Sequence, residues 1–163
     1  MLEAVFRYRD SDRIPGGVVI TGVTINAESA EEGCIQSLTF PNTVDGKLVV
    51  GIEAGCCENM LEFGEIAWPE KLQYVGNRAF AGCANLQYLS LPVSVMDVGE
   101  YAFMDCSLWE GIALYEQARI GLGAFAGTAD STPSGYVFLK DAEGETTPSR
   151  FGEHCPQAII EER

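Results

Sequence analysis

Val75-Gly76-Asn77-Arg78-Ala79-Phe80-Ala81-Gly82-Cys83 is followed 23 residues later by Val98-Gly99-Glu100-Tyr101-Ala102-Phe103-Met104-Asp105-Cys106. After a further 22 the pattern returns as Ile120-Gly121-Leu122-Gly123-Ala124-Phe125-Ala126-Gly127-Thr128. Stepping back 23 from Val75 finds a degenerate copy, Ile52-Glu53-Ala54-Gly55-Cys56-Cys57-Glu58-Asn59-Met60. Self-similarity at a period of about 20–50 residues is the signature of a stacked array. One such unit is too small to bury its own apolar face, so its neighbours must cover it.

Beyond Cys83 a second half-motif keeps the same register. Leu86-x-x-Leu89-x-Leu91-Pro92 aligns with Phe63-x-x-Ile66-x-Trp68-Pro69, and with Trp109-x-x-Ile112-x-Leu114, where Tyr115 replaces the proline. Upstream, Ile35-x-x-Leu38-x-Phe40-Pro41 has the same form. An apolar-x-apolar ending places both marked side chains on one face of a short strand and the residue between them on the other. Parallel strands of neighbouring coils lie about 4.8 Å apart, so Leu38, Ile66, Leu89 and Ile112 line up as one touching ladder. Cys57, Phe80, Phe103 and Phe125 form a second column. Glycine at 76, 99 and 121 fits a corner where a side chain would clash or demand a positive φ. Proline at the strand end removes a donor where the ladder stops. Pro41 and Pro69 are 28 residues apart, five more than the period, and Asp45-Gly46 supplies a type I′ turn for the insertion.

The spacing therefore predicts a β-rich solenoid of about four coils of ~23 residues over 35–129, its strands joined by short helical or irregular segments. Open ends of such a stack need caps. Residues 1–34 are expected to form the N-terminal cap, with Val18-Val-Ile-Thr21 and Val23-Thr-Ile25 as two short strands split by Gly22. Residues 130–163 are expected to form the C-terminal cap, with a strand over 135–140, a polar loop over 141–145 and a final Ala158-Ile-Ile-Glu161.

The repeated unit Pro-x-x-Val-x-x-Val/Ile-Gly-x-x-Ala-Phe-x-x-Cys-x-x-Leu-x-x-Leu-x-Leu-Pro resembles the bacterial BspA-like, or Treponema pallidum type, leucine-rich repeats. Gly17-Val-Val-Ile-Thr-Gly22, Phe40-Pro41 and Asp45-Gly46-Lys47-Leu48-Val49 resemble the family's entry segment, so the likeness covers roughly residues 17–128. The outer copies depart from it: Cys56-Cys57 replaces Ala-Phe and Thr128 replaces Cys. The resemblance implies a curved leucine-rich-repeat solenoid with a parallel sheet on its concave side. It also implies a secreted or surface protein that binds host proteins or other cells. No catalytic residue belongs to the repeat.

Composition narrows the partners. Ten Lys and Arg stand against 24 Asp and Glu, a formal charge of −14, while 47% of residues are apolar. That apolar share is ordinary for a globular chain and excludes disorder. The charge opposes nucleic acid and anionic lipid, which need clustered cations. Within 35–129 four basic residues face eleven acidic ones, so a protein partner is expected to present a basic or neutral patch. No stretch approaches the ~18–20 apolar residues that span a bilayer, so no membrane insertion is expected. The segment Met1-Leu-Glu-Ala-Val-Phe-Arg-Tyr-Arg-Asp10 carries no secretory signal pattern; as a native start it implies the cytoplasm, against the family's surface location.

Chemistry-bearing residues are few. The six cysteines (34, 56, 57, 83, 106, 155) form no Cys-x-x-Cys pair and are read as buried, reduced and structural. Cys56 and Cys57 are adjacent, and neighbours on an extended strand point to opposite faces, which makes a poor chelate. Neither a metal nor a cofactor is expected. Asp10-Ser-Asp12-Arg-Ile14 opens like a calcium loop but fails at its fifth position, and Asp141, Glu143 and Glu145 read as a polar turn. His154 beside Cys155 is the single pairing of thiol and imidazole, yet nucleophile and base normally come from separate parts of a chain. An enzyme with a site there, and a spacer segment of a larger surface protein, are the alternatives to a non-enzymatic interaction module.

The outward positions of the ladder strands carry the binding expectation. They are Ser37, Thr39, Glu65, Ala67, Tyr88, Ser90, Gly111 and Ala113, flanked by Glu70, Val93, Tyr115 and Glu116. Tyr88 and Tyr115 suit partner anchors, since tyrosine is enriched at hot spots, and small neighbours leave room for an incoming side chain. Glu65, Tyr88, Ser90, Val93, Tyr115 and Glu116 are the candidate ligand-binding set for a protein or glycan. Trp68 and Trp109 fall in apolar columns and are assigned to the core.

Overall fold

The protein is described here by a computed structural model covering residues 2–30, 36–108, 110–128, 136–141, 143 and 145–150. In chain order the strands are β1 (Ala4–Asp10), β2 (Val18–Ile25), β3 (Ser37–Thr39), β4 (Thr43–Val44), β5 (Lys47–Ile52) and β6 (Glu65–Ala67). They continue with β7 (Tyr74–Val75), β8 (Tyr88–Ser90), β9 (Asp97–Val98), β10 (Gly111–Tyr115), β11 (Arg119–Ile120), β12 (Tyr136–Lys140) and β13 (Thr146–Arg150). The one helical element among the described residues is a 3-10 turn over Ala27–Ser29. Turns join the strands of each coil.

The apolar-x-apolar endings form the first run of parallel strands. Leu38 stands opposite Ile66, Leu89 opposite Ile112, and Leu114 opposite Leu139. β3 and β6 form a two-stranded sheet of their own, and β8, β10, β12 and β13 form a four-stranded one; at the step between them the Gln87 N–H donates to the Gly64 carbonyl at 2.9 Å. A second sheet runs β1-β2-β5-β7-β9-β11. Its later strands are two residues long, because Val75, Val98 and Ile120 each precede the corner glycine. These glycines answer the choice left open by the sequence. Their φ values are not in the left-handed region, and a Cβ at Gly76, Gly99 or Gly121 would lie 2.4, 2.6 or 2.7 Å from a backbone nitrogen of the coil before. Close stacking requires them.

The remaining side of each coil is a turn bonded along the axis. Cys57, Phe80 and Phe103 donate their N–H groups to Ala79, Ala102 and Ala124 of the following coil, at 2.7, 2.8 and 2.8 Å. Their side chains fill the centre: Phe80 stacks on Phe103 at 5.4 Å and Phe103 on Phe125 at 5.6 Å, all fully buried. Trp68 meets Phe80 edge-on at 5.3 Å and packs against this core. Trp109 lies outside the described residues; its neighbour Leu108 is fully buried and donates its N–H to Leu86.

The N-terminal strands depart from expectation. Val18–Ile25 is one strand rather than two, paired antiparallel with β1 on both sides of a bulge at Thr21. Gly22 does not break it; the missing side chain leaves the space occupied by the Arg7 guanidinium. The Asp45-Gly46 turn does form a hairpin, with φ of 50° and 76° between paired Val44 and Lys47. Beyond β12, which lies parallel to β10, β13 returns antiparallel on the outer edge, where Pro148 is tolerated.

Candidate functional site

The ladder strands display their intervening residues in register. Ser37 pairs with Glu65 and Tyr88 with Gly111 in one row; Thr39 pairs with Ala67 and Ser90 with Ala113 in the next. Glu65 and Glu116 are exposed, Tyr88 is 39% exposed and Val93 52%, while Ser90 and Tyr115 are half-buried. The six candidate residues therefore keep solvent access to differing degrees.

Two outward positions are corrected: Gly111 and Ala113 are buried. Lys140, in register with Tyr115, extends diagonally to within 3.4 Å of the Ser90 hydroxyl. Its ammonium sits 5.5 Å from the centre of the Tyr115 ring. Such a contact restrains the ring and neutralises part of its outward face. Tyr88 has no such cover. Glu70, Val93 and Glu116 follow one another at 23-residue steps, so a carboxylate flanks the exposed valine on either side along the axis.

A second feature carried no advance signal. The segment joining β1 to β2 folds over the outer face of the second sheet. Ser11 Oγ lies 2.9 Å from Tyr74 Oη, and the Arg13 guanidinium sits 4.1 Å above the Tyr74 ring. Arg13 and Arg119 both bond Asp97, at 2.9 and 2.8 Å. Ile14 and Pro15 thereby become one wall of a groove of about 340 Å³. Its floor holds Leu48, Lys71 and Ser94, and Val50 with Gln73, two columns spaced by the repeat. The register gives those columns, but nothing in sequence places the loop above them.

The acidic and sulfur groups are engaged. Asp10 holds Lys47 at 2.7 Å and Asp12 holds Arg9 at 3.1 Å. The Asp141 carboxylate accepts the N–H groups of Glu143 and Glu145 at 3.0 and 2.9 Å, an Asx-type turn. Among the described residues no group of three His, Cys, Asp or Glu is placed to hold a metal. Cys57, Cys83 and Cys106 are buried free thiols, and Cys56 is half-buried. The Cys83 and Cys106 thiols each donate to a carbonyl of the preceding coil, Cys57 and Phe80, at 3.1 Å. Thr128 departs from this pattern: its hydroxyl donates at 2.6 Å to the Phe125 carbonyl of its own turn rather than to the preceding coil. Cys56 and Cys57 are not on a strand but in a turn, which brings their sulfurs to 3.8 Å. The hydrogen bond to Cys56, then burial, raises the Cys57 thiol's pKa; burial raises that of Cys106. Both stay protonated and weakly nucleophilic. Cys34, His154 and Cys155 lie outside the described residues.

Comparison with known proteins gives consistent results. The family model for the BspA type leucine rich repeat region matches residues 23–132 in six copies, starting within β2. The crystal structure of a T. pallidum leucine rich repeat protein is similar at 19% identity and a TM-score of 0.55, covering 76% of this chain and 66% of that one. A leucine-rich repeat protein from Bacteroides ovatus is similar at 19% identity and a TM-score of 0.49, covering 78% of this chain and 38% of that one. The chain thus spans just under two thirds of the first and well under half of the second. Identities at this level speak to fold alone. No curated protein sequence matches.

Proposed function

Because the chain belongs to the BspA-type leucine-rich-repeat family, we propose that it is a non-enzymatic interaction module that binds a protein, or a glycan, on the ladder face around Tyr88. Leucine-rich-repeat domains are generally protein-interaction modules, and the BspA type is often found on surfaces or secreted. The partner on this reading is a host or cell-surface molecule, held by residues 35–129 between caps at 1–34 and 130–163. Among the described residues no helix is long and apolar enough to cross a membrane.

One observation carries the reading: Tyr88 stands 39% exposed on a parallel sheet, opposite a glycine that offers no side chain to cover it. A large, two-torsion amphipathic ring on a rigid strand is the kind of anchor that dominates interface energies. Val93, exposed in the turn after the same strand, adds apolar area, and Glu65 and Glu116 give a rim that favours a basic partner. Tyr115 contributes less, since Lys140 already occupies its face.

The immobilised chain, exposed to host-cell extract, tests this. Capture of its partner should fall at least tenfold in Tyr88→Ala, as expected when a hot-spot ring worth about 2 kcal/mol or more is removed. Tyr115→Ala should cost less. Unchanged capture by both variants would remove the ladder face from consideration.

A further inference from the structure

The groove beneath the β1–β2 loop holds an unusual pairing of lining and charge. Its apolar surface comes from Ile14, Pro15 and Leu48, with the buried Val50 beneath, and Leu48 is 47% exposed. Lys71 and Gln73 stand on its floor, in the coil after β5. Arg9, Arg13, Lys47, Arg78 and Arg119 each hold a carboxylate, Arg7 bonds Thr24, and Lys140 is spent on Ser90 and Tyr115. Among the described side chains Lys71 is the one cation without a hydrogen-bond or charge partner. In a chain of net charge −14 with 24 carboxylates, that is not for want of acids. The Gln73 carboxamide, half-buried, has no partner of its own either, and the Ser94 hydroxyl, whose proton goes to the Glu70 carbonyl at 3.2 Å, retains its acceptor lone pairs.

We propose that this groove captures the C-terminal residue of a peptide chain. Its α-carboxylate would pair with the Lys71 ammonium and accept from the Gln73 amide. Its apolar last side chain would lie on Leu48, against Ile14 and Pro15. An ammonium and an amide N–H match the two acceptor oxygens of a carboxylate, an anion that also carries an apolar body. The groove's volume, about 340 Å³, is at the small end of ligand sites, and it opens to solvent. An open trough suits one side chain whose main chain leaves into water. Carboxylate capture by fixed donors is an established mode of peptide recognition. The remainder of the captured chain is favoured when basic, because the surrounding surface is acidic.

The groove uses none of the six ladder-face candidates, so its test is independent of theirs. The probe is a fluorescein-labelled hexapeptide, Gly-Ser-Lys-Gly-Ser-Leu, prepared with a free C-terminal carboxylate and as its C-terminal amide, with sodium octanoate as competitor. Fluorescence polarisation should show the acid binding at least tenfold more tightly than the amide. Lys71→Gln, an exposed change that leaves the packing alone, should abolish that difference, and Leu48→Asp should weaken the acid at least tenfold. Equal binding of acid and amide, no binding of the acid at millimolar concentration, or an unchanged preference in Lys71→Gln would each overturn the proposal. Binding of octanoate with none of the peptide would overturn it in favour of a free amphiphilic carboxylate.

Discussion

Backbone conformation repeats along the array more faithfully than residue type does. Gly55, Arg78, Tyr101 and Gly123 occupy equivalent positions and all have positive φ, at 68°, 55°, 55° and 62°. Asn59, Gly82, Asp105 and Gly127 do the same at 60°, 75°, 58° and 76°. In that second column the Asn59 side chain fills the space a Cβ on Gly82 would need, and Asp105 does so for Gly127. Large and small residues therefore alternate from coil to coil. The corner glycines obey a different constraint, and the contrast is measurable. Gly16 has φ of 80° and open space around it, so Gly16→Ala meets only the left-handed penalty, about 1 kcal/mol. Gly99→Ala puts a methyl 2.6 Å from the Asn77 backbone nitrogen and is expected to cost about 3 kcal/mol. Urea unfolding should show the larger midpoint drop for Gly99→Ala with an unchanged slope. A smaller loss there than at Gly16 would show that the coils are not in close backbone contact.

At the scale of elements, the aromatic column links the coils. Phe103 stacks between Phe80 and Phe125, meets Trp68 at 6.2 Å, and is fully buried. Phe103→Ala should destabilise by about 3–5 kcal/mol, the usual cost of emptying an aromatic core site. A loss below about 1 kcal/mol would mean the column is not continuous. What was legible at this scale was what recurs. The Leu38, Ile66, Leu89, Ile112 ladder and the Cys57, Phe80, Phe103, Phe125 column could be read because each copy checks the next. Strands of two residues, such as Tyr74–Val75, are too short to show alternation. β1 and β13 have no repeat copy, and Pro148 argues against a strand until its edge position is known. The adjacency of Cys56 and Cys57 was misread because opposite facing holds on strands, not in the turn they occupy.

For the whole molecule, only the exposure of the candidate site was legible, for the same reason. Register places Glu65, Tyr88, Val93 and Glu116 on accessible positions, but it cannot show Lys140 arriving from the last parallel strand to meet Ser90 and Tyr115. Nor could it place the loop that walls the groove. Both are contacts between the repeated coils and non-repeated segments. Charge acts at this scale too: with a net −14, the proposed partner is expected to present a basic or neutral patch, and its association should weaken as salt is raised. Amide hydrogen exchange of the chain, free and bound to the protein it captures, reads whether a rigid stack offers its ladder face to a partner. Slowed exchange on binding is expected at residues 88–93 and 111–116, while the Phe80 and Phe103 amides, bonded from coil to coil, should already be slow in the free chain. Slowing confined to the second sheet, or rapid exchange at Phe80 and Phe103 in the free chain, would overturn that reading.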